Sequence, residues 1–379
     1  MNTLQIGKSW LPELPGGGLD RMFFGLAAHL PRCGVNFNGL VAGSHKVISD
    51  SNGRCMSFAR EDASLVDRYR GARRAIRQSL ADNPADLVAI HFAVYAFPGL
   101  GILRKLPRVI HFHGPWALES AYEGNSQLNV ATKMLIEKAV YRNAGRYIVL
   151  SKAFANVLSN RYGIPTDRIR IVPGGVDAAR FSSNLSRESA RAQLGWPQDR
   201  QIVLSVRRLA HRMGLENLIE AAAALRKQHP ELLVLIAGKG PIEDQLQKRI
   251  EEAELSDTVR LLGFVPDDSL PLAYRASDLT VTPTVSLEGF GLVTIESLAS
   301  GTPVMVTPVG GLPEVVKDLS HDLVLPGSDL RSLQAGLSEA LSGHRTLPDA
   351  SACKTFVRKN YDWPVIAAKT RTVYEEVLS

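Results

Sequence analysis

Short apolar runs alternate with longer amphipathic stretches along the chain. The runs are rich in Val, Ile and Leu, which is typical of strands buried on both faces of a parallel sheet. In the stretch 216–227 apolar residues recur at helical spacing, and four of them share one face: Leu218, Ile219, Ala222 and Leu225. The runs predict ten strands, near Val35–Ala42, Leu87–Phe92, Val109–Phe112, Tyr147–Leu150, Ile169–Val172, Ile202–Val206, Leu232–Ala237, Val259–Leu262, Leu279–Val281 and Val304–Val306.

Strands that alternate with helices form parallel sheets covered by helices. Two such series predict an α/β protein with two Rossmann-like, doubly wound domains, and 379 residues suffice for two cores. The break is expected between Gly175 and Asp199, where the chain turns polar before a new strand begins. We therefore predict a first domain over residues 1–183 and a second over 184–360. The last segment, 361–379, has the periodicity of a helix.

The composition is that of an ordinary globular protein, with 45% hydrophobic and 22% charged residues. The first residues lack the basic start and apolar run of a secretory signal. The longest apolar stretch, Leu87–Leu103, is interrupted by His91, Pro98 and two glycines, so it predicts a strand, a loop and a short helix. The three cysteines lie far apart, which disfavours a disulfide framework or a zinc site. We expect a cytoplasmic protein.

Positive charge is concentrated in the first half of the chain. Residues 1–183 contain 23 Lys and Arg against 13 Asp and Glu, whereas the remainder contains 21 against 25. A basic half suggests an anionic partner, such as the inner face of a membrane or a polyprenyl-diphosphate acceptor. Ordinary solvated charges would explain the asymmetry equally well. Nucleic acid is the least favoured partner, because no helix-turn-helix, zinc-finger or ribonucleoprotein signature is present.

A glycine-rich segment follows the first short strand and precedes a helix predicted over Met22–Leu30. In Pro15-Gly16-Gly17-Gly18, backbone amides can approach a phosphate without a Cβ in the way. The segment fits neither the G-x-G-x-x-G fingerprint nor the Walker motif, so NAD and P-loop ATP binding are disfavoured. By itself such a segment can also be only a turn.

Two histidines mark the end of the strand Val109–Phe112. His111 and His113 alternate with Phe112, so they share one face of the strand. A metal site would need a third ligand, and none is suggested nearby. We expect a neutral His113 to hydrogen-bond a substrate, and His111 to be a satisfied core histidine.

Three arginines follow the strand Ile202–Val206. Arg207, Arg208 and Arg212 precede a helix that is predicted to begin near Gly214. In open parallel sheets ligands bind at the carboxyl ends of strands. Fixed cations beside helix amides suit a diphosphate, although the arginines could also be surface residues.

The most specific block contains two carboxylates eight residues apart. Glu288 is expected on a loop and Glu296 about two turns into the helix that follows, so both can reach one extended ligand. Gly289-Phe290-Gly291 between them lets the chain turn into that helix. Paired carboxylates also occur in double-displacement hydrolases, but such enzymes need no arginine clamp. The combination favours a sugar nucleotide.

At these residues the sequence resembles the family-4 glycosyltransferases, which are retaining enzymes of the GT-B fold. The resemblance covers nearly the whole chain and includes PGGGLDR, HFHGPW, LSVRRL, LIAGKGP, GFVPDDSL, EGFGLVTIE and SGTPV. It implies two Rossmann-like domains facing a cleft, a UDP-sugar donor, and a terminal helix 361–379 that packs back on the first domain.

The resemblance also implies roles for individual residues. Those with an expected catalytic role are His113 beside the transferred sugar, Arg208 at the diphosphate and Glu288 at the sugar hydroxyls. The donor-binding set further contains Gly16 and Gly17 over the diphosphate, Arg212, Gly238 of LIAGKGP, Phe264 with its backbone at the base, Phe290, Gly291, Leu292 and Val293 with backbone groups at sugar and phosphate, and Glu296 at the ribose.

One position departs from the family. Where relatives usually carry a lysine, this chain has Met213. The second cation at the diphosphate must then come from a neighbour, with Arg212 as the first candidate and Arg207 as the second. The chain has no Asp-x-Asp motif, so no metal is implied.

The function expected from the resemblance is hexosyl transfer from UDP-glucose, which we favour over UDP-GlcNAc, UDP-galactose and GDP-mannose. The acceptor would be a saccharide or a polyprenyl-linked glycan in envelope or exopolysaccharide synthesis. Two alternatives remain: a UDP-sugar epimerase on the same scaffold, and a sugar-nucleotide binder without activity.

Overall fold

The computed structural model describes residues 1–11 and 16–379. Its strands are β1 (Asn2–Ser9), β2 (Asn36–Ala42), β3 (Cys55–Ala59), β4 (Leu87–Ile90), β5 (Arg108–Phe112), β6 (Arg146–Val149), β7 (Ile169–Ile171), β8 (Gln201–Val206), β9 (Leu232–Ala237), β10 (Val259–Gly263), β11 (Leu279–Thr282) and β12 (Val304–Val306). Its helices are α1 (Gly18–His29), α2 (Lys46–Asp50), α3 (Leu65–Asp82), α4 (Ala93–Ala96), α5 (Leu100–Leu103), α6 (Trp116–Tyr122), α7 (Gln127–Tyr141), α8 (Lys152–Tyr162), α9 (Ala178–Phe181), α10 (Arg187–Leu194), α11 (Leu215–Leu225), α12 (Glu243–Glu252), α13 (Leu270–Ala276), α14 (Leu292–Ala299), α15 (Leu312–Val316), α16 (Leu330–Leu341), α17 (Ala350–Asn360) and α18 (Trp363–Leu378).

The first compact unit comprises Met1–Gly175 and Trp363–Ser379. Its parallel sheet has the strand order β3-β2-β1-β4-β5-β6-β7. The central strand β4 is buried along its whole length, which explains why its sequence is continuously apolar. Helix α18 belongs to this unit although it comes last in the chain, and its Tyr374 is completely buried.

The second unit comprises Val176–Asp362. Its parallel sheet has the strand order β10-β9-β8-β11-β12, so the order reverses between β8 and β11. The strand β9 is fully buried, and α11 covers the sheet with the apolar face that its helical spacing predicts. The loops that form the candidate site of this unit follow the carboxyl ends of these strands.

The predicted fold class, two doubly wound α/β domains, is confirmed. The ten predicted strands all occur, and their bounds differ from the observed ones by at most two residues. The sequence pattern predicts no strand at β3, which is an edge strand and only partly buried. The observed boundary follows Gly175, not residue 183, because Val176 pairs with Asp362 within the second unit.

Surface and thiol features complete the description. Helix α3 exposes four arginines, which we call the arginine face: Arg70, Arg73, Arg74 and Arg77. Cys33, Cys55 and Cys353 are free thiols. Within the residues that the structure describes, no helix combines the length and apolar character needed to cross a bilayer.

Candidate active site

Three loops meet at the carboxyl ends of β8, β9 and β10. The amide of Arg207 donates to Ala237, and the amide of Gly238 donates to Gly263 at 2.7 Å. Gly238 has a φ of +145°, and a Cβ on it would lie 1.8 Å from the Arg207 carbonyl oxygen. Only glycine allows this approach, so the sequence motif around Gly238 serves to bring the arginine loop against its neighbour.

Glu288 and Arg207 form a buried ion pair. One guanidinium nitrogen of Arg207 donates to Glu288 Oε2 and, at 2.7 Å, to Thr284 Oγ1. Burial raises the pKa of Glu288, but the charge and hydrogen bond of Arg207, the charge of Arg212 and the Phe290 amide outweigh it. The pKa of Glu288 therefore lies below its ordinary value, and the side chain is a carboxylate at neutral pH.

Met213 lies against this ion pair rather than at the surface. Its sulfur is 2.8 Å from the same guanidinium nitrogen of Arg207, and the side chain is buried. Position 213 thus faces Arg207, the second of the two cations considered for the missing lysine.

Arg212 braces the loop that carries Glu288. Its Nη1 donates to the Leu287 carbonyl oxygen at 3.0 Å, while the Arg212 carbonyl accepts the Val285 amide. Leu287 has a φ of +51°, which is uncommon for a residue with a branched side chain and indicates local strain. Arg208 is exposed beside the buried Arg207. Arg208 and Arg212 as diphosphate ligands remain predictions.

The helix α14 starts at the residues expected to hold phosphate. Gly291 is its N-cap with a φ of +78°, and Leu292 and Val293 are its first two residues. Their amides belong to the first turn, where no intrahelical partner exists. A helix N-terminus of this kind favours an anion.

Glu296 lies in the same helix but nearer its start than expected. It is the fifth residue of α14, just over one turn from the N-terminus rather than two. The side chain is 5% exposed, and its Oε2 accepts a hydrogen bond from the Tyr274 hydroxyl at 3.0 Å. Tyr274 therefore orients the carboxylate that we expect at the ribose.

Two phenylalanines of the predicted set have different surroundings. Phe290 is buried, with its ring 5.7 Å from that of Tyr361. Phe264 follows the end of β10 and is 47% exposed. An exposed position leaves its backbone accessible to a ligand.

In the first unit, Gly16 and Gly17 precede α1; Pro15 lies outside the described residues. Asp20 binds the segment to the end of β1. Its Oδ2 accepts the Gly17 amide at 3.2 Å, and its Oδ1 accepts the amide and hydroxyl of Ser9. This buried carboxylate fixes the glycine segment at the start of α1.

A third histidine joins the two that the sequence singled out. His91 follows β4, which pairs with β5, and its Nδ1 lies 3.0 Å from Nε2 of His113. The second nitrogen of His91 bonds to Gln5 Oε1 at 3.0 Å. His111 bonds to the Tyr374 hydroxyl at 2.7 Å, as expected for a satisfied core histidine.

These histidines are the one group in the described chain whose side chains could together hold a metal, with nitrogens within 4.8 Å of one another. The rings of His91 and His111 are stacked, 18° from parallel. Both nitrogens of His91 are engaged in hydrogen bonds, so its lone pair is not available to a cation. The geometry favours a hydrogen-bonded cluster over a metal centre.

Glu137 is a site residue that the sequence did not reveal. From α7 it accepts the amides of Trp116 and Ala117, the first residues of α6, and the hydroxyls of Tyr162 and Tyr141. Burial raises the pKa of Glu137 to about 7, despite these hydrogen bonds. The carboxyl group fixes the segment that directly follows His113.

The structure adds His91, Gln5 and Glu137 to the predicted residues, and the first two are recognisable in the sequence. His91 interrupts an apolar strand end, as His113 does, and adjacent parallel strands place such residues together. Gln5 is a polar residue inside the buried strand β1. Glu137 had no signal, because its partners are two backbone amides of α6 and two tyrosine hydroxyls, and no sequence pattern links these groups to it.

Two family models match the chain. Glycosyl transferases group 1 matches residues 186–359, and Glycosyltransferase Family 4 matches residues 16–180. A D-inositol 3-phosphate glycosyltransferase of Salinispora arenicola is 33% identical over 268 residues, which cover 65% of this chain and 58% of that protein. An uncharacterized glycosyltransferase of Methanocaldococcus jannaschii is 33% identical over 233 residues, covering 60% and 59%. The alignments span about three fifths of these relatives.

Solved structures share the fold over the full chain. Sucrose-phosphate synthase from Thermosynechococcus elongatus has a TM-score of 0.77 at 22% identity, covering 100% of this chain and 99% of that one. HepE of Anabaena in complex with UDP-glucose has a TM-score of 0.77 at 20% identity, covering 99% and 100%. At such identities the likeness shows the fold alone. With both halves matched by its models, the chain belongs to the family-4 glycosyltransferases of the GT-B fold.

Proposed function

We propose that the protein is a retaining hexosyltransferase that uses UDP-glucose. The observation that carries the proposal is the pairing of two loops in the second unit. Arg207 and Arg212 bind the loop that contains Glu288, and that loop leads into the Gly291-capped N-terminus of α14. Cations, helix amides and an ionised carboxylate are thus joined in one arrangement, which suits a diphosphate linked to a sugar.

In the proposed reaction the bond between the sugar and UDP breaks with negative charge developing on the diphosphate. Arg208, Arg212 and the first amides of α14 stabilise that charge, which is the work a metal performs in other transferases. Glu288 remains a carboxylate and accepts sugar hydroxyls, so it orients the sugar and does not attack it. Departure and attack on the same face would account for retention.

Glu296 and Phe264 complete the part of the proposed donor site that lies in the second unit. Glu296, oriented by Tyr274, would accept the ribose hydroxyls, and the Phe264 backbone would meet the base. For the first unit, considered by itself, we propose from the family resemblance that Gly16 and Gly17 contact a diphosphate and that His113 contacts a hexose. The choice of UDP-glucose comes from the family resemblance, and the structural neighbour HepE, solved in complex with UDP-glucose, supports it.

The acceptor we propose is a saccharide or a polyprenyl-linked glycan of the cell envelope, reached at the inner face of the membrane. The support is the concentration of positive charge in residues 1–183 and the arginine face of α3. A phosphorylated polyol is a further acceptor class, since the Salinispora relative is named a D-inositol 3-phosphate glycosyltransferase.

Nucleotide release from a panel of UDP- and GDP-sugars, measured with and without saccharide, lipid-diphosphate and polyol-phosphate acceptors, tests the proposal. We expect UDP release from UDP-glucose that increases with one acceptor class, and a product with the α anomeric configuration of the donor. An epimerase would instead interconvert or release free sugar without needing an acceptor. No turnover of any donor, with binding intact, would leave only a sugar-nucleotide binder.

A further inference from the structure

A continuous file of hydrogen bonds runs across four adjacent strands of the first unit, β2, β1, β4 and β5. It begins at the Asn36 backbone carbonyl, which accepts from Thr3 Oγ1 at 2.8 Å. It continues through Gln5 in β1 and His91 after β4 to His113 after β5, with separations of 2.9, 3.0 and 3.0 Å. The strands pair as β1 with β4 and β4 with β5, so the sheet itself fixes the spacing.

The direction of every bond in this file follows from its first member. A backbone carbonyl can only accept a hydrogen bond, so the Thr3 hydroxyl must donate its one proton to the Asn36 carbonyl. The hydroxyl can then only accept from Gln5. The amide nitrogen of Gln5 therefore faces Thr3, and its Oε1 faces His91. Because Oε1 can only accept, Nε2 of His91 carries the proton.

The tautomer of His113 follows from that of His91. A neutral imidazole has one N–H and one bare nitrogen, so Nδ1 of His91 is bare and accepts from Nε2 of His113. Nδ1 of His113 is then bare as well. This buried atom has no hydrogen-bond partner among the described residues. A buried acceptor without a partner is unfavourable, and a bound group that donates a hydrogen bond would remove this cost.

The histidines keep the neutral form on which this argument depends. Burial lowers the pKa of His113 to about 3. Burial, followed by the charges of the other histidines, lowers the pKa of His91 well below the usual range. Among the described residues, three groups contact the file: the Tyr374 hydroxyl beside Gln5, the Phe23 ring edge against His91, and the His111 ring stacked on His91. Burial also lowers the pKa of His111 well below the usual range, so this ring is neutral as well.

We propose that Gln5 and His91 are positioning residues that hold His113 in one tautomer, so that its bare Nδ1 accepts a hydrogen bond from a hydroxyl of the transferred sugar. The tautomer stands on the hydrogen bonds alone, whereas the identity of the hydroxyl donor rests on the proposed function. The opposite tautomer would present an N–H and would select acceptors such as ether or phosphate oxygens.

The tautomer itself is measured by long-range proton–nitrogen NMR of protein labelled with ¹⁵N-histidine. The His113 signals are assigned by their loss in His113→Gln. We expect a protonated Nε2 and an unprotonated Nδ1 for His113 in the wild-type protein, which needs no active enzyme. A protonated Nδ1 would overturn the proposal, whatever the activity.

Variants test whether the file sets the tautomer. His91→Phe and Gln5→Leu remove an acceptor and should give His113 a mixture of both tautomers. Tyr374→Phe removes the hydroxyl that bonds to His111 at 2.7 Å and lies 3.4 Å from Gln5. Because Thr3 and His91 still fix the amide of Gln5, His113 should be unchanged. An unchanged His113 in folded His91→Phe would refute the positioning role, and if neither variant folds, the wild-type spectrum still decides the tautomer.

Donor analogues test the ligand class. UDP-glucose lacking one hydroxyl, and its matched deoxyfluoro form, should both lose about tenfold in kcat/KM at the position that meets His113, because fluorine cannot donate. In His91→Phe the fluoro form should regain activity relative to the deoxy form. Equal tolerance of every analogue by the wild-type enzyme would overturn the hydroxyl contact. If no UDP-sugar is turned over while the tautomer is as stated, the proposed function fails and the tautomer stands.

Discussion

Glu288 shows how one side chain can be buried and still ionised. Its carboxylate is 14% exposed and pairs with Arg207, which is itself buried. A lone carboxylate there would take up a proton, and the guanidinium prevents this. The consequence is chemical: Glu288 can accept hydrogen bonds from a sugar at neutral pH but cannot serve as a proton donor.

The hydroxyl of Tyr274 is expected to matter for donor affinity. Tyr274→Phe removes the hydrogen bond to Glu296 and leaves the ring in place. A net contribution of about 1 kcal/mol predicts roughly fivefold higher KM for the UDP-sugar with little change in kcat. Steady-state kinetics measure both. Tyr361→Phe is the matched control, because it removes a hydrogen bond to the backbone of Val315 instead. An equal rise of KM in both variants would contradict the assignment.

Arg212 is expected to act on the diphosphate as well as on the Leu287 carbonyl. Arg212→Ala should lower kcat/KM about tenfold or more, since a charge-assisted bond to phosphate contributes roughly 1.5–3 kcal/mol. Leu287→Gly allows the positive φ at this position without strain, so the loop should no longer need the hydrogen bond from Arg212. If the double variant recovers wild-type turnover, Arg212 serves the loop alone. No recovery is the result expected of a phosphate ligand.

The sequence indicated which residues belong to the candidate site, but it did not indicate which groups they contact. Arg207, Arg208, Arg212, Glu288 and Glu296 were recognised by residue type at strand ends. The sequence did not show that Arg207 turns inward to Glu288 while Arg208 stays exposed, because neighbouring loop residues have no periodicity. His91 was passed over because its proximity to His113 depends on the order of the strands.

Helices α6 and α7 depend on one carboxyl group at their junction. Glu137 supplies acceptors for the first amides of α6 from the side of α7. The first amides of a helix have no acceptor within the helix. In α6 the distant side chain of Glu137 accepts two of these amides, in place of a local capping side chain. The position of the segment after His113 thus depends on a group whose pKa is near neutrality.

The stability of the protein should reflect this titration. Burial raises the pKa of Glu137 from 4.5 to about 7, so its contribution is fully present below pH 4.5 and is lost as pH rises through 7. The loss amounts to roughly 3 kcal/mol. Urea unfolding at pH 5 and pH 8 should therefore show a smaller difference for Glu137→Gln than for wild type. Glu252→Gln, at an exposed site, is the control and should show the wild-type difference.

Elements were predicted from sequence where burial was complete. Strands β4 and β9 are buried throughout and read as continuous apolar runs. The edge strand β3 has partly buried, mixed residues, and no pattern separates it from a loop. The predicted domain boundary, after residue 183, lies eight residues beyond the observed one after Gly175. The observed boundary depends on the pairing of Val176 with Asp362, which are distant in the sequence.

The distribution of charge predicts which unit would make the proposed contact with a membrane. Binding to vesicles should increase with anionic lipid and weaken as salt shortens the screening length from about 8 Å at 0.15 M to about 3 Å at 1 M. Arg73→Glu with Arg77→Glu, on the arginine face, should reduce co-sedimentation. Lys227→Glu with Lys248→Glu changes the net charge equally in the second unit and serves as the control. Equal losses would assign the effect to net charge alone.

Donor binding is expected to proceed without a divalent metal. The chain has no Asp-x-Asp motif, and the arginine loop supplies the positive charge. UDP affinity measured by calorimetry should be the same with and without excess EDTA. A large loss on chelation, restored by Mg²⁺ or Mn²⁺, would show that the proposed cations are insufficient.

The discontinuous makeup of the first unit has a consequence for biosynthesis. Trp363 packs against Gly25 and Gly175, and Glu376 pairs with Arg146, so α18 completes a unit that otherwise ends at Gly175. A ribosome makes α18 only after the entire second unit has been translated. The second unit, which is continuous, can finish folding on the nascent chain, while the earlier-made half must wait with an uncovered surface. A ribosome stalled short of residue 363 would therefore carry a complete second unit and an incomplete first unit.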